Sequence, residues 1–154
     1  MFDWITSKVA TSVTVLVIAA SFTGLFSMQA DYYRTLEMED LADAVTDLVT
    51  EVDLLSGEAR VTVDWRDSLT SHGLPRDLHG EPYLLQFTGE RPFVSHGGTR
   101  VPGRHFPSPV TLLDAEGAPV GFLEVPSHTG FNISSHQVWR GWGLDTVISI
   151  QPLP

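Results

Sequence analysis

The chain of 154 residues contains no cysteine, which excludes disulfide staples, thiolate metal ligands and thiol nucleophiles together. It has a single lysine, Lys8, and a formal net charge of −10. Nucleic acid is therefore not an expected partner, because phosphate binding needs a basic surface. No proline occurs before Pro75, so residues 1–74 lack the residue that most effectively breaks a helix. All ten prolines lie after residue 74, which excludes long helices there. Between Val9 and Ala30 there is no charged residue at all.

The last of these absences is the most informative. Val9 to Met28 reads VATSVTVLVIAASFTGLFSM, and a helix of about 20 residues rises roughly 30 Å, the thickness of a bilayer's hydrocarbon core. Trp4 precedes it and Tyr32 and Tyr33 follow it. Helical spacing sets these rings roughly 42 Å apart, at the two headgroup levels where such rings gather. Residues 1–30 are expected to form a retained transmembrane anchor in contact with lipid. The competing reading is a cleaved secretory signal, whose best site follows Ala30 and places bulky Met28 where a small residue is wanted. Lys8 and Arg34 nearly balance across the span, so the positive-inside count is close to even. A short N-terminal tail is easier to leave inside than a folded domain, so the C-terminal part is expected to be extracytoplasmic. Asn132-Ile133-Ser134 is a glycosylation sequon usable only on that side.

Within the span, Ala19, Thr23 and Ser27 recur at four-residue steps, as do Ala20 and Gly24. Small residues let helices approach closely in lipid, which makes these five the candidates for a helix–helix interface.

Residues 31–57 are expected to continue the helix as an acidic, amphipathic stalk. No Pro or Gly interrupts the chain between Leu25 and Ser56. Met38, Leu41, Val45, Leu48, Val52 and Leu55 recur at three- and four-residue steps, the stripe of a helix packed on one side. Leu41, Val45, Leu48, Val52 and Leu55 are the expected packing residues, and the partner is the chain's own domain or a coiled-coil mate. Residues 31–58 hold nine acids against one Arg. Gly57 then suits a helix stop. Anchor and stalk together make one helix of roughly 47 residues, about 70 Å long.

Residues 58–154 change character. Ala59, Val61, Val63 and Trp65 alternate with polar residues, a half-buried strand. Further strands are expected at 83–88, 92–95, 110–114, 120–125, 137–139 and 146–151. Thr88-Gly89-Glu90 and Asp114-Ala115-Glu116-Gly117 read as hairpin connections. The fold class is therefore α+β: a long N-terminal transmembrane and stalk helix followed by a small antiparallel β-sheet or β-sandwich domain.

No catalytic, cofactor or metal site is expected. The histidines, at 72, 79, 96, 105, 128 and 136, match no zinc spacing, although His128 and His136 flank a Gly-containing turn. GxSxG is missing. Asp64 and Asp67 flank Arg66 and read as paired surface charge. The stretch 95–108 (SHGGTRVPGRHFPS) is a Gly-rich basic loop that matches no phosphate-binding fingerprint and is expected to be a long connection. Trp139-Arg140-Gly141-Trp142-Gly143 sets two indoles near one guanidinium, a possible contact surface.

The layout of hydrophobic helix, amphipathic extension, Gly turn and alternating strand, seen in LADAVTDLVTEVDLLSGEARVTVDW and EPYLLQFTGERPFV, resembles archaeal type IV pilin-like membrane proteins. Lys8 is followed by Val9, and residues 9–30 hold no acid, so the resemblance is to an unprocessed, membrane-resident relative. It implies a non-enzymatic structural or assembly subunit of a surface filament or membrane complex, with other subunits as partners and no cofactor. A membrane-tethered binding module for a surface-layer protein, glycan or peptide, including a filament stator-type subunit, is the alternative. A hydrolase is the third reading and has no visible constellation behind it.

Overall fold

The computed structural model describes residues 2–154 except Ser56, Ser68, Leu69 and Trp142, and gives the main chain alone for residues 2–7, Ala10, Arg140 and Leu144. Among the described residues one helix, α1 (Phe2–Leu54), is followed by nine strands. The chain divides into two compact units, Met1–Glu37 and Met38–Pro154.

The first unit is the N-terminal part of α1. Every described residue from Thr11 to Thr35 is exposed, with Val15, Leu16, Leu25 and Phe26 each at least 60% accessible. The segment near the N-terminus is long and apolar enough to cross a membrane. Its hydroxyls are satisfied locally. Ser12 donates to Lys8 O, Ser21 to Val17 O, Thr23 to Ala19 O and Ser27 to Gly24 O, at 2.8–2.9 Å. Such back-bonding removes the cost of placing a hydroxyl in hydrocarbon, where an unpaired polar group is expensive.

The second unit begins at Met38, where α1 enters a core. Met38, Leu41, Ala42, Val45, Val49 and Val52 are buried. Leu48 is only partly buried, and Leu55 lies beyond the end of the helix and is half exposed. This corrects the expected stripe at its C-terminal end. A strict three-four step drifts around a helix of 3.6 residues per turn, so the buried line runs through Val49 instead of Leu48 and closes at Val52. Glu39, Asp40, Asp47 and Glu51 stay exposed. Past the helix, Gly57 takes a φ of +132°, which only glycine adopts freely.

Two sheets complete the unit. One has the order β1 (Ala59–Asp64), β8 (Gly130–Arg140), β9 (Gly143–Pro152), β5 (Val110–Leu113), β6 (Pro119–Val120). The other has the order β4 (Thr99–Pro102), β3 (Pro92–His96), β2 (Leu84–Phe87), β7 (Leu123–Pro126). All pairings are antiparallel except β5 with β9, which is parallel. Alternation sets one face of each strand inward. Val63, Phe131, Ile133, Ile148 and Ile150 come from the first sheet, and Leu85, Phe87, Val94 and Val125 from the second. They form a single cluster with the α1 residues. Phe87 on β2 meets Phe131 on β8 at 5.3 Å between ring centroids, so the sheets face each other. Trp65 packs on Phe131 and edge-on to Tyr83.

Both expected hairpins are present. Thr88 N–H donates to Arg91 O across the β2–β3 turn. Asp114 Oδ1 accepts from Glu116 N and Ala118 N in the β5–β6 turn. The expected long loop at 95–108 is in part a hairpin. His96 pairs with Thr99 across Gly97-Gly98, whose φ values of +57° and +80° give the twist that fits adjoining strands. The expected strand at 120–125 is split at Gly121 between β6 and β7, and those expected at 137–139 and 146–151 are parts of the much longer β8 and β9.

Candidate functional site

The remainder of the Gly-rich basic loop, residues 103–108, is fastened to α1. Gly103 lies so close to the helix that a Cβ there would stand 2.9 Å from Ala42 C, Cβ and O. Its N–H donates to Pro92 O. Arg104 N donates to Asp43 Oδ1 at 2.9 Å, and its guanidinium reaches Asp43 Oδ2 at 3.1 Å and Asp47 Oδ1 at 2.7 Å. Thr46 Oγ1 donates to Arg104 O, and Ser108 Oγ to Asp53 Oδ2. Hydrogen bonding to Asp47, aided by both carboxylates, pushes the Arg104 pKa up. The anion this loop holds is the acidic helix itself. Arg100 Cζ sits over the Phe93 ring, 3.8 Å from its centroid, and Arg91 touches His105.

The titratable residues elsewhere read as structural. Arg66 grips Asp64 through Nε and Nη2, at 3.0 to 3.2 Å. That side-chain bond, followed by the Arg66 main-chain bond, holds the Asp64 carboxyl below its ordinary value. A lowered pKa keeps it ionised, the opposite of what a general acid needs. Tyr83 Oη donates to Pro75 O at 2.6 Å, and burial drives its pKa far up. His96 leans Nδ1 on Pro82 O, with Nε2 3.6 Å from Glu81. His79 and Gly80, both at positive φ, turn the chain between Leu78 and Glu81. Among the described residues no group of three or more His, Asp or Glu side chains is placed to hold a metal ion.

The other expected sites fall as follows. Ala19, Ala20, Thr23, Gly24 and Ser27 are all exposed on α1, and a Cβ at Gly24 meets nothing within 4 Å. Leu41, Val45 and Val52 are core, Leu48 packs against it from the edge, and Leu55 does not join it. Asn132, expected as a glycan acceptor, stands within β8 with β1 on one side and β9 on the other. Its Oδ1 accepts a 2.6 Å bond from Thr62 Oγ1, so the folded domain uses this side chain as a cross-strand link. In the Trp139–Gly143 stretch, Trp139 is 69% exposed; the Arg140 and Trp142 side chains lie outside the described residues. What the sequence reading missed is that this stretch ends a long β8–β9 hairpin reaching past its neighbours. The signal was Gly141, φ +58°, between two alternating runs.

No protein-family model, no curated protein and no solved structure matches this chain.

Proposed function

We propose that this chain is a single-pass, membrane-anchored structural or assembly subunit, pilin-like and of the archaeal type, whose β domain stands on the extracytoplasmic face. One observation carries the reading. A single helix is apolar and bare on all sides over its N-terminal part, with its hydroxyls bonded to its own backbone, and becomes core in the β domain from Met38 onward. A bare apolar helix calls for lipid or for other helices. The small residues at 19, 20, 23, 24 and 27 offer the second. Because Thr23 and Ser27 already bond their own helix, association there is a matter of close packing rather than of interhelical hydrogen bonds. The membrane-tethered binding module, stator-type subunits included, is the second reading, favoured by the exposed Trp139 near the end of the β8–β9 hairpin.

Purification from native membranes in mild detergent tests the proposal. A stoichiometric complex, of this chain with itself or with other subunits, is expected. A lone detergent-bound monomer that captures a surface ligand would replace it with the second reading.

A further inference from the structure

β8 and β9 pair from Phe131↔Pro152 to Arg140↔Gly143. Their outer neighbours are shorter. β1 reaches only to Ser135 on β8, and β5 only to Ile148 on β9. Residues 136–140 and 143–147 therefore overhang the sheet as a two-stranded ribbon, with no strand on either outer edge among the described residues. In an antiparallel hairpin closed by two residues, the closing pair exchanges both backbone bonds and the pattern then alternates. Arg140 and Gly143 close this one. The main-chain N–H and C=O groups of Gln137 and Trp139 thus point outward from β8, and those of Leu144 and Thr146 outward from β9.

Such an edge is complementary to one thing, another extended strand. Protein edges are commonly blunted by proline or lysine, and neither occurs in HQVWR or GLDTV. Each edge also has open access at its shoulder. Beside β8 is a cleft of about 430 Å³ lined by Arg60, Ser135 and His136. Beside β9 is one of about 230 Å³ lined by Pro109, Asp145 and Thr146.

We propose that the ribbon joins copies of this chain, the β8 edge of one copy adding antiparallel to the β9 edge of the next. Direction and charge select this occupant. The two free edges span five residues each and run antiparallel, so copies in the same orientation present matching edges to each other. Asp145 is the only charged residue on the β9 edge, and Arg140 the only formally charged one on the β8 edge. Full β9-to-β9 overlap would set Asp145 against Asp145, a destabilising like-charge pair. Full β8-to-β9 overlap sets Asp145 opposite Val138, on a strand whose only formal charge is positive. A β8-to-β8 pair leaves both β9 edges unpaired. The β8-to-β9 contact is heterologous, so it propagates. The inference rests on the assembly reading for the common orientation of copies, but it does not use the membrane helix.

The cysteine-free sequence makes a direct test available. Two full-length chains, one Val138→Cys and one Asp145→Cys, carry different tags and are reconstituted together in phospholipid vesicles. In the proposed register these positions form a non-hydrogen-bonded pair, with Cα atoms about 4.5 Å apart, within disulfide range. On mild oxidation the mixed-tag disulfide is expected to exceed the same-tag product of the Val138→Cys chain several-fold; the Asp145→Cys chain lacks the repelling carboxylate, so its same-tag product is not part of the comparison. Gln137→Pro in the first chain, or Thr146→Pro in the second, removes an outward N–H while sparing the bonds inside the hairpin, and is expected to lower the mixed product at least fivefold. Circular dichroism checks that each proline variant keeps its sheet, and the tag pattern is informative without them. Same-tag disulfides of the Val138→Cys chain in excess of the mixed product, or mixed products indifferent to both prolines, overturn the proposal. So does a lack of mixed product; a membrane complex that persists in that case leaves the assembly reading standing, whereas monomers throughout remove both.

Discussion

Gly103→Ala isolates the packing of the loop against α1. The substitution adds one methyl group, at a position where its carbon would stand 2.9 Å from three atoms of Ala42, two of them main chain. Ordinary carbon contacts lie near 3.5–4.0 Å, so the loop must retreat by roughly 0.6–1 Å. Retreat pulls on the bonds formed next door, Arg104 to Asp43 and Asp47 and Thr46 to Arg104 O. Forcing an extra methyl into a packed site costs about 1–3 kcal/mol. For a domain of this size that lowers the midpoint by roughly 4 °C per kcal/mol, so a loss of about 4–12 °C is expected. Gly121→Ala is the matched control. No heavy atom lies within 4 Å of a Cβ there, and its backbone is outside the positive-φ region. It is expected to stay within about 0.5 kcal/mol of the parent. The assay is thermal unfolding of the sheet signal for both variants in the same detergent. If Gly103→Ala melts with Gly121→Ala, the loop does not press on the helix and this account of the 103–108 segment is wrong.

Three other outcomes are expected. Ala20→Ile and Gly24→Ile should weaken association in membranes, measured by crosslinking, while leaving the melting of the β domain unchanged, because both positions are exposed within the chain; unaltered association would make the helix a tether only. The Tyr83 pKa is raised from an ordinary 10.0, first by burial, so its neutral form stabilises the fold fully below about pH 10 and that contribution is lost as pH rises; Tyr83→Phe should flatten the alkaline fall in stability while losing the bond to Pro75, and a parallel fall in both proteins would refute the assignment. Asn132→Ala should cost about 1 kcal/mol through the lost Thr62 bond, and intact mass should show no glycan on the parent; a glycan there would mean modification before folding.

The fold class, a long N-terminal helix followed by a β domain, was legible because it rests on strong periodic signals. A charge-free run at 9–30 and a break-free helix to residue 54 follow from composition alone. Leu41, Val45 and Val52 were readable from spacing. Leu55 was not, since nothing in the three-four pattern says where the sheet stops and solvent begins. The hairpin at Gly97-Gly98 was hidden inside a stretch whose Arg and His residues suggested a loop. Arg100 in fact lies over Phe93 across that hairpin, and Arg104 lies against Asp43 and Asp47, a contact between segments distant in sequence. The overhang of β8 and β9 depends on where β1 and β5 end, which only the assembled sheet defines. Asn132 looked like a surface sequon because a tripeptide carries no information about strand neighbours.

In the proposed setting α1 changes surroundings along its length, lipid or other membrane helices before the headgroups and sheet core on one face from Met38. A single-cysteine scan of α1 in lipid vesicles, read by a water-soluble maleimide, measures this position by position. The expected pattern is protection of every residue through 11–28, then alternation: Leu41, Val45, Val49 and Val52 protected, Glu39, Asp40, Asp47 and Glu51 reactive. Reactivity throughout 11–28, or protection there on one face alone, would contradict the membrane assignment, and uniform reactivity from 38 to 52 would contradict the core.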